Sequence, residues 1–270
     1  AYMTLSGSLV FFKATDDSGG HGYELWALEI PDPDAPTNPG ATGVTDDSIT
    51  WTWDDNSDVE EGYKVWADSG AADPITLQTT TAADAVSWTM SGLSGNTQYS
   101  FQVAAVKSGG DTDKTETYSQ WTLAATPSAP VVENPGASSL DVAIESGDGN
   151  STYTQYAIYC SSTSEWIQTD GSLGASKVWQ TAADWGTVTV TGLSGATEYS
   201  FQVRARNQDN VETTDGSSAS GYTNCILTYN AGANGAISGT TPQEVAYGGD
   251  GSQVEAAADT GYHFVQWDDG

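Results

Sequence analysis

The chain has 270 residues, with 36 Asp and Glu against 7 Lys and Arg, a formal charge of −29. So few basic residues argue against nucleic acid or an anionic membrane surface as a partner, because both are recognised through clustered Lys and Arg. The 10 Trp, 13 Tyr and 37% hydrophobic residues supply packed cores and argue against a disordered acidic chain.

Every stretch of the chain carries surplus acid, so the acidity is a property of the whole surface. No apolar run reaches the length of a spanning helix, and no membrane insertion is expected. The sequence starts at Ala1 without a visible signal peptide, and it reads as a processed or excerpted product.

In chain order, residues 1–30 have material for one β-hairpin, with "DDSGGHG" as its turn. Next, Ile49, Trp51 and Trp53 alternate with Thr50 and Thr52, and Tyr63 and Val65 flank Lys64. Val86, Trp88 and Met90 alternate, as do Tyr99, Phe101, Val103 and Ala105. A strict period of two means that each strand buries one face. Clusters of Gly, Asn, Asp, Ser and Pro between these runs mark turns.

The chain then repeats itself. "SGLSGNTQYSFQVAAV" at 91–106 recurs as "TGLSGATEYSFQVRAR" at 191–206, and "NPGA" at 38–41 recurs at 134–137. A period of about 100 residues is the size of a whole small domain, so two related domains stand in tandem. In the second copy Leu140, Val142 and Ile144 occupy the strand that carries Trp in the first, and the middle region from Trp166 to Trp185 is longer. No segment shows a 3.6-residue period, and the predicted class is all-β, built as sandwiches.

"ITWTWDDNSDVEEGYKV", "LSGNTQYSFQVAAV" and the closing "AATP" give residues 31–127 a resemblance to a bacterial fibronectin type III domain. Residues 128–224 resemble a second copy. The resemblance implies immunoglobulin-like sandwiches with Trp53, Tyr63, Val65, Leu93, Tyr99 and Phe101 in the first core and Leu193, Tyr199 and Phe201 in the second. It also implies that Tyr99 and Tyr199 are corner tyrosines, with the ring in the core and the hydroxyl on nearby backbone.

"LVFFKATDDSGGHGYELWAL" at 9–28 is similar to one unit of the ELW-type repeat of large bacterial surface proteins. Residues 225–270 resemble a divergent internalin-type B-repeat, a module ending in a "GYxFxxW" strand, here Gly261, Tyr262, Phe264 and Trp267. The expected organisation is therefore a partial β module at 1–30, sandwiches at 31–127 and 128–224, and a partial β module at 225–270. Partial ends read either as a crop of a longer polypeptide or as edges that pair between copies by strand addition. Head-to-tail pairing of that kind propagates into a filament.

No catalytic residues are expected. His21 and His263 lie in different modules, and nothing suggests three groups converging on one pocket. Paired carboxylates carry no information in so acidic a chain. "DDNSDVEE" sets Asp54, Asn56, Asp58 and Glu60 at alternate positions, a candidate calcium loop, with a self-bonded turn as the alternative. Asp111, Asp113 and Glu116, and "NQDNVETTD" at 207–215, are weaker versions. No cofactor other than calcium is expected.

Cys160 and Cys225 are a candidate disulfide that would pin the third module, or else a buried thiol and a free junction thiol. Trp66 and Trp166 are candidate sugar-stacking rings, with Trp179 and Trp185 nearby in sequence to the latter; the alternative is that such rings cover sheet edges. "NST" at 150–152 is a formal glycosylation sequon of little weight in a chain with bacterial resemblances.

These readings converge on a non-catalytic stalk or adhesive segment of a large bacterial extracellular or cell-surface protein. The alternatives are a filament subunit and a carbohydrate-binding accessory of a secreted hydrolase. Expected partners are neighbouring modules or copies of the same protein, and surface polysaccharide.

Overall fold

A computed structural model describes residues 3–6, 9–14, 24–29, 31–108, 110–145 and 147–267. The chain forms two compact units. The first takes in residues 1–125 with the short segments 149–151 and 207–211, and the second holds the remainder.

In the first unit, β1 (Met3–Ser6), β2 (Leu9–Ala14) and β3 (Glu24–Glu29) make a three-stranded antiparallel sheet with β2 in the middle. This corrects the expected single hairpin. β1 is only four residues long, too short for its alternation to register in the sequence. The expected "DDSGGHG" turn and His21 lie outside the described residues.

The first sandwich follows. One sheet is β4 (Thr37–Thr42), β5 (Ser48–Asp54) and β8 (Ser87–Ser91), ordered β4-β5-β8. The other contains β6 (Gly62–Ser69), β7 (Leu77–Thr80), β9 (Gln98–Lys107), β10 (Gly110–Asp111) and β11 (Tyr118–Trp121). Its order is β10-β9-β6-β7, with β11 also on β9. β5 shows why "SITWTWD" makes a strand: Ile49, Trp51 and Trp53 are buried, while Thr50 faces out and meets Thr89 at 2.9 Å across the ladder.

The core between the sheets is aromatic. Trp51 stacks on Phe101 with centroids 5.1 Å apart, and Trp53 lies 5.5 Å from Tyr63 and 6.0 Å from Phe101. Val65 and Tyr99 are also buried, and Leu93 packs on this cluster while keeping part of its surface exposed. The indole N–H groups of Trp51 and Trp53 are buried without a hydrogen-bond partner.

The second unit repeats this plan. β12 (Val131–Glu133), β13 (Leu140–Ala143) and β18 (Thr187–Val190) form one sheet. The other holds β14 (Gln155–Cys160), β15 (Glu165–Ile167), β16 (Leu173–Gly174), β17 (Gln180–Thr181), β19 (Glu198–Arg206) and β20 (Ala219–Tyr222). Leu140, Val142, Val190, Leu193, Tyr199 and Phe201 are buried there.

The long insertion contains a single turn of helix, α1 (Ala182–Trp185), too short to show a helical period. Thr181 caps it by accepting from the Asp184 N–H, and the buried Trp185 donates its indole N–H to the Tyr156 carbonyl at 2.8 Å.

The corner tyrosines behave alike in both copies. The Ser94 N–H donates to the Tyr99 hydroxyl at 3.1 Å, and the Ser194 N–H donates to that of Tyr199 at 3.0 Å. A buried threonine braces each corner: Thr122 donates to the Ser94 carbonyl and Thr223 to that of Ser194, at 2.8 and 2.7 Å.

The rest of the second unit is a small β module. β21 (Cys225–Leu227) pairs with β23 (Gln243–Val245), and β22 (Gly235–Ser238) pairs with β24 (Glu255–Ala258). The buried Gln243 side chain donates to the carbonyls of Thr240 and Ser252 at 2.8 Å each. The strand expected over Gly261 to Trp267 does not form. Among the described residues no strand pairs with it, so its backbone has no ladder to complete. Tyr262, Phe264, Val265 and Trp267 are exposed.

Candidate functional site

Two loops of the first sandwich converge on one acidic cluster. Asp55 follows β5, Glu60 precedes β6, and Asp84 precedes β8. One carboxylate oxygen from each lies within 4.8 Å of the others. The two carboxyl groups at the ends of the burial range differ sharply: Asp84 is exposed, whereas Glu60 is only 7% exposed.

Glu60 Oε1 accepts from the Asp84 N–H at 2.9 Å, while Oε2 is buried with no hydrogen-bond partner. Asp84 itself sits at φ +58°, in the left-handed region that aspartate tolerates. Asp55 Oδ1 accepts from the Tyr63 hydroxyl and from the Ser57 N–H. Burial, followed by the hydrogen bond to Asp55, pushes the Tyr63 phenol well above its ordinary pKa. Gly62 makes the entry to β6: it sits at φ +150°, and a Cβ there would lie 2.1 Å from the Thr81 carbonyl oxygen.

This arrangement corrects the calcium loop expected from spacing. Of Asp54, Asn56, Asp58 and Glu60, only Glu60 joins the cluster. Asp54 closes β5 on the exposed face and accepts from Asn38 at 2.5 Å. Asn56 donates to the Ala35 carbonyl and to the Thr37 hydroxyl, and Asp58 is exposed. Asp55 and Asp84, the other two members, stand outside that alternate spacing. Strand alternation carries past Asp54 and turns Asp55 inward, and Asp84 arrives from a loop 24 residues beyond Glu60.

Of the weaker acidic motifs, Asp111, Glu212 and Asp215 are committed to bases, while Asp113 and Glu116 are exposed. Asp111 pairs with Lys64 at 2.7 Å. Asp215 takes Arg204 through two hydrogen bonds of 2.8 and 2.9 Å, and Glu212 bridges Lys177 and Arg204. Lys177 holds the Glu212 carboxyl below its ordinary pKa, and the Asp215 hydrogen bond raises that of Arg204.

The candidate sugar rings are both partly buried and capped, contrary to the expectation of open faces. Lys114 lies 4.1 Å above the Trp66 ring. Trp166 packs 4.7 Å from Tyr159, with Arg204 at 5.4 Å and Lys177 at 5.2 Å. Trp179 is covered by Arg206 at 4.7 Å. Each ring lies under a cation and gains a cation–π contact, and Trp66 and Trp166 sit on β6 and β15, strands that have a partner on both sides.

The expected disulfide is also corrected: both cysteines are free thiols. Cys160 is fully buried at the end of β14, paired with Phe201, whereas Cys225 opens β21 opposite Val245. His263 lies in the exposed stretch after β24.

The model of the fibronectin type III domain matches residues 34–121 and again 125–220. The chain belongs to the fibronectin type III family. A divergent InlB B-repeat domain matches residues 225–270. Among curated proteins, Exoglucanase B of Cellulomonas fimi is 28% identical over 223 residues, which are 77% of this chain and 18% of that protein. The chain thus spans about a fifth of the length of that relative. Among solved structures, a two-domain fibronectin type III segment of chicken tenascin superposes with a TM-score of 0.48 at 13% identity, covering 70% of this chain and 98% of that one. A structure described as a myokine gives a TM-score of 0.31 at 21% identity, covering 34% and 98% respectively.

Proposed function

We propose that this chain is a non-catalytic spacer segment of a larger extracellular bacterial protein, made of β modules that each fold on their own core. The observation that carries the reading is the duplication itself. Both fibronectin type III copies keep the same corner, with Tyr99 and Tyr199 bonded to Ser94 and Ser194, around two separately packed interiors. Selection for folding in series explains such a pattern, and the acid spread over every module suits a solvated chain outside the cell. Single-molecule stretching of the full chain tests it. Each sandwich is expected to give its own unfolding step, and one all-or-none event would overturn the reading.

A second reading is an accessory region of an exoglucanase-like hydrolase, favoured by the similarity to Exoglucanase B. It predicts retention of the full chain on insoluble cellulose, weakened at least tenfold by Trp166→Ala. The cation caps on Trp66 and Trp166 argue for the spacer, because a sugar would have to displace them. Passage through cellulose without retention is the expected result.

A further inference from the structure

We propose that Asp55, Glu60 and Asp84 of the first sandwich form a binding site for a calcium ion. Two separate loops, β5–β6 with Asp55 and Glu60 and β7–β8 with Asp84, bring their carboxylates together, and the buried oxygen Glu60 Oε2 has no protein partner. Calcium takes oxygen ligands at about 2.3–2.6 Å, so two oxygens on one ion stand at most about 5 Å apart. The observed spread of 4.8 Å lies within that limit.

The orphan oxygen separates this cluster from a merely acidic surface. A buried carboxylate oxygen without a donor loses its water and gains nothing in return. Glu60 is 7% exposed, and its other oxygen is already engaged by the Asp84 N–H. Three converging carboxylates also repel one another, and no Lys or Arg forms an ion pair with any of them among the described residues. A divalent cation answers both demands at once. The exposed Asp84 leaves an approach from solvent, and water completes the six to eight ligands that calcium takes.

The second sandwich supplies an internal contrast. Tyr156 donates to Asp148, eight residues earlier, as Tyr63 does to Asp55. Yet among the described residues no carboxylate cluster of this kind gathers there. The tyrosine–aspartate pair therefore belongs to the fold, and the two further acids are what the first copy adds.

The test is calorimetric titration of the full chain with calcium chloride in about 150 mM sodium chloride, which screens diffuse attraction to the −29 charge. One site is expected, with a Kd of about 0.1–1 mM, the range of extracellular calcium modules. Glu60→Gln should weaken binding at least tenfold, and Asp84→Asn, at an exposed position that leaves the core untouched, should do the same. Asp58→Asn should bind as the unmodified chain does. Near-ultraviolet circular dichroism checks that each variant is folded. The proposal is overturned by the absence of saturable binding. Binding of equal strength in Asp84→Asn and the unmodified chain, or loss in Asp58→Asn alone, would also overturn it.

Discussion

In the first sandwich Trp51 and Trp53 fill the centre from β5, whereas in the second Leu140 and Val142 take that strand and Trp185 enters from α1. The indole N–H of Trp185 reaches a carbonyl, while those of Trp51 and Trp53 stay unpaired. The corner bonds of Tyr99 and Tyr199 are meanwhile almost superimposable in length, at 3.1 and 3.0 Å. The contrast separates two kinds of constraint. Core volume is fungible, since a ring can be delivered from another element if the space is filled. A side chain that closes a backbone turn has a fixed donor and acceptor and cannot be relocated.

The largest test of that contrast is Trp51→Ala, which removes a fully buried ring stacked on Phe101 and should destabilise the first sandwich by about 3–5 kcal/mol. Val142→Ala, on the matching strand of the second, should cost about 2 kcal/mol. Denaturant melts followed by amide signals from each sandwich report the two losses separately, and equal losses would break the comparison.

Tyr99→Phe and Tyr199→Phe should each cost about 1–2 kcal/mol, because each strands a backbone N–H at a corner. The two values should agree within about 0.5 kcal/mol. A wide gap would mean that the corners are alike in geometry only.

A smaller effect distinguishes how acids are held in the two copies. In the first, the Thr76 hydroxyl leads in lowering the Asp68 pKa, with backbone N–H groups adding to it; in the second, Lys177 leads for Glu212. Both folded pKa values lie below the unfolded ones. The associated stabilisation is therefore full above the ordinary carboxylate range and is lost as pH falls through the depressed values. Carboxyl titrations by NMR should show the Glu212 shift shrinking as salt is added, because it rests on ion pairs, while that of Asp68 persists. Lys177→Ala should move Glu212 back toward its ordinary value.

The smallest change is at the thiols. Native protein should label quickly at Cys225 and not at Cys160, with both labelling once denatured and no mass change on reduction. Labelling that requires reductant would restore the disulfide.

Period-two alternation made the sandwich strands legible in sequence, because a half-buried strand has to alternate. Tyr99 and Phe101 could be placed for that reason, and Tyr199 and Phe201 through the repeat that mirrors them. The acidic cluster was not legible. Glu60 was reached through spacing within one loop, but spacing says nothing about which loops meet, and Asp84 belongs to a different strand pair. The caps on Trp66 and Trp166 are not legible in the sequence for a related reason. Lys114 and Lys177 lie in loops whose path is set by the fold, and no local pattern links either to its ring. The expected strand at Gly261 to Trp267 failed differently, since local pattern alone cannot supply a pairing partner.

Scarcity of basic residues has a consequence for durability. Apart from Lys13, each one is occupied: Lys64 by Asp111, Lys107 by the Pro31 carbonyl, and Lys114 and Lys177 by tryptophan rings. Arg204 is held by Asp215, and Arg206 by Gln155. A protease that cuts after basic residues must thread an extended, freely moving segment through its cleft. Here its few target bonds lie in sheet ladders or in loops tethered by the target side chain itself, so cleavage has to wait for local opening. A chain built this way is expected to resist digestion through where its lysines and arginines sit, with no need for unusual overall stability.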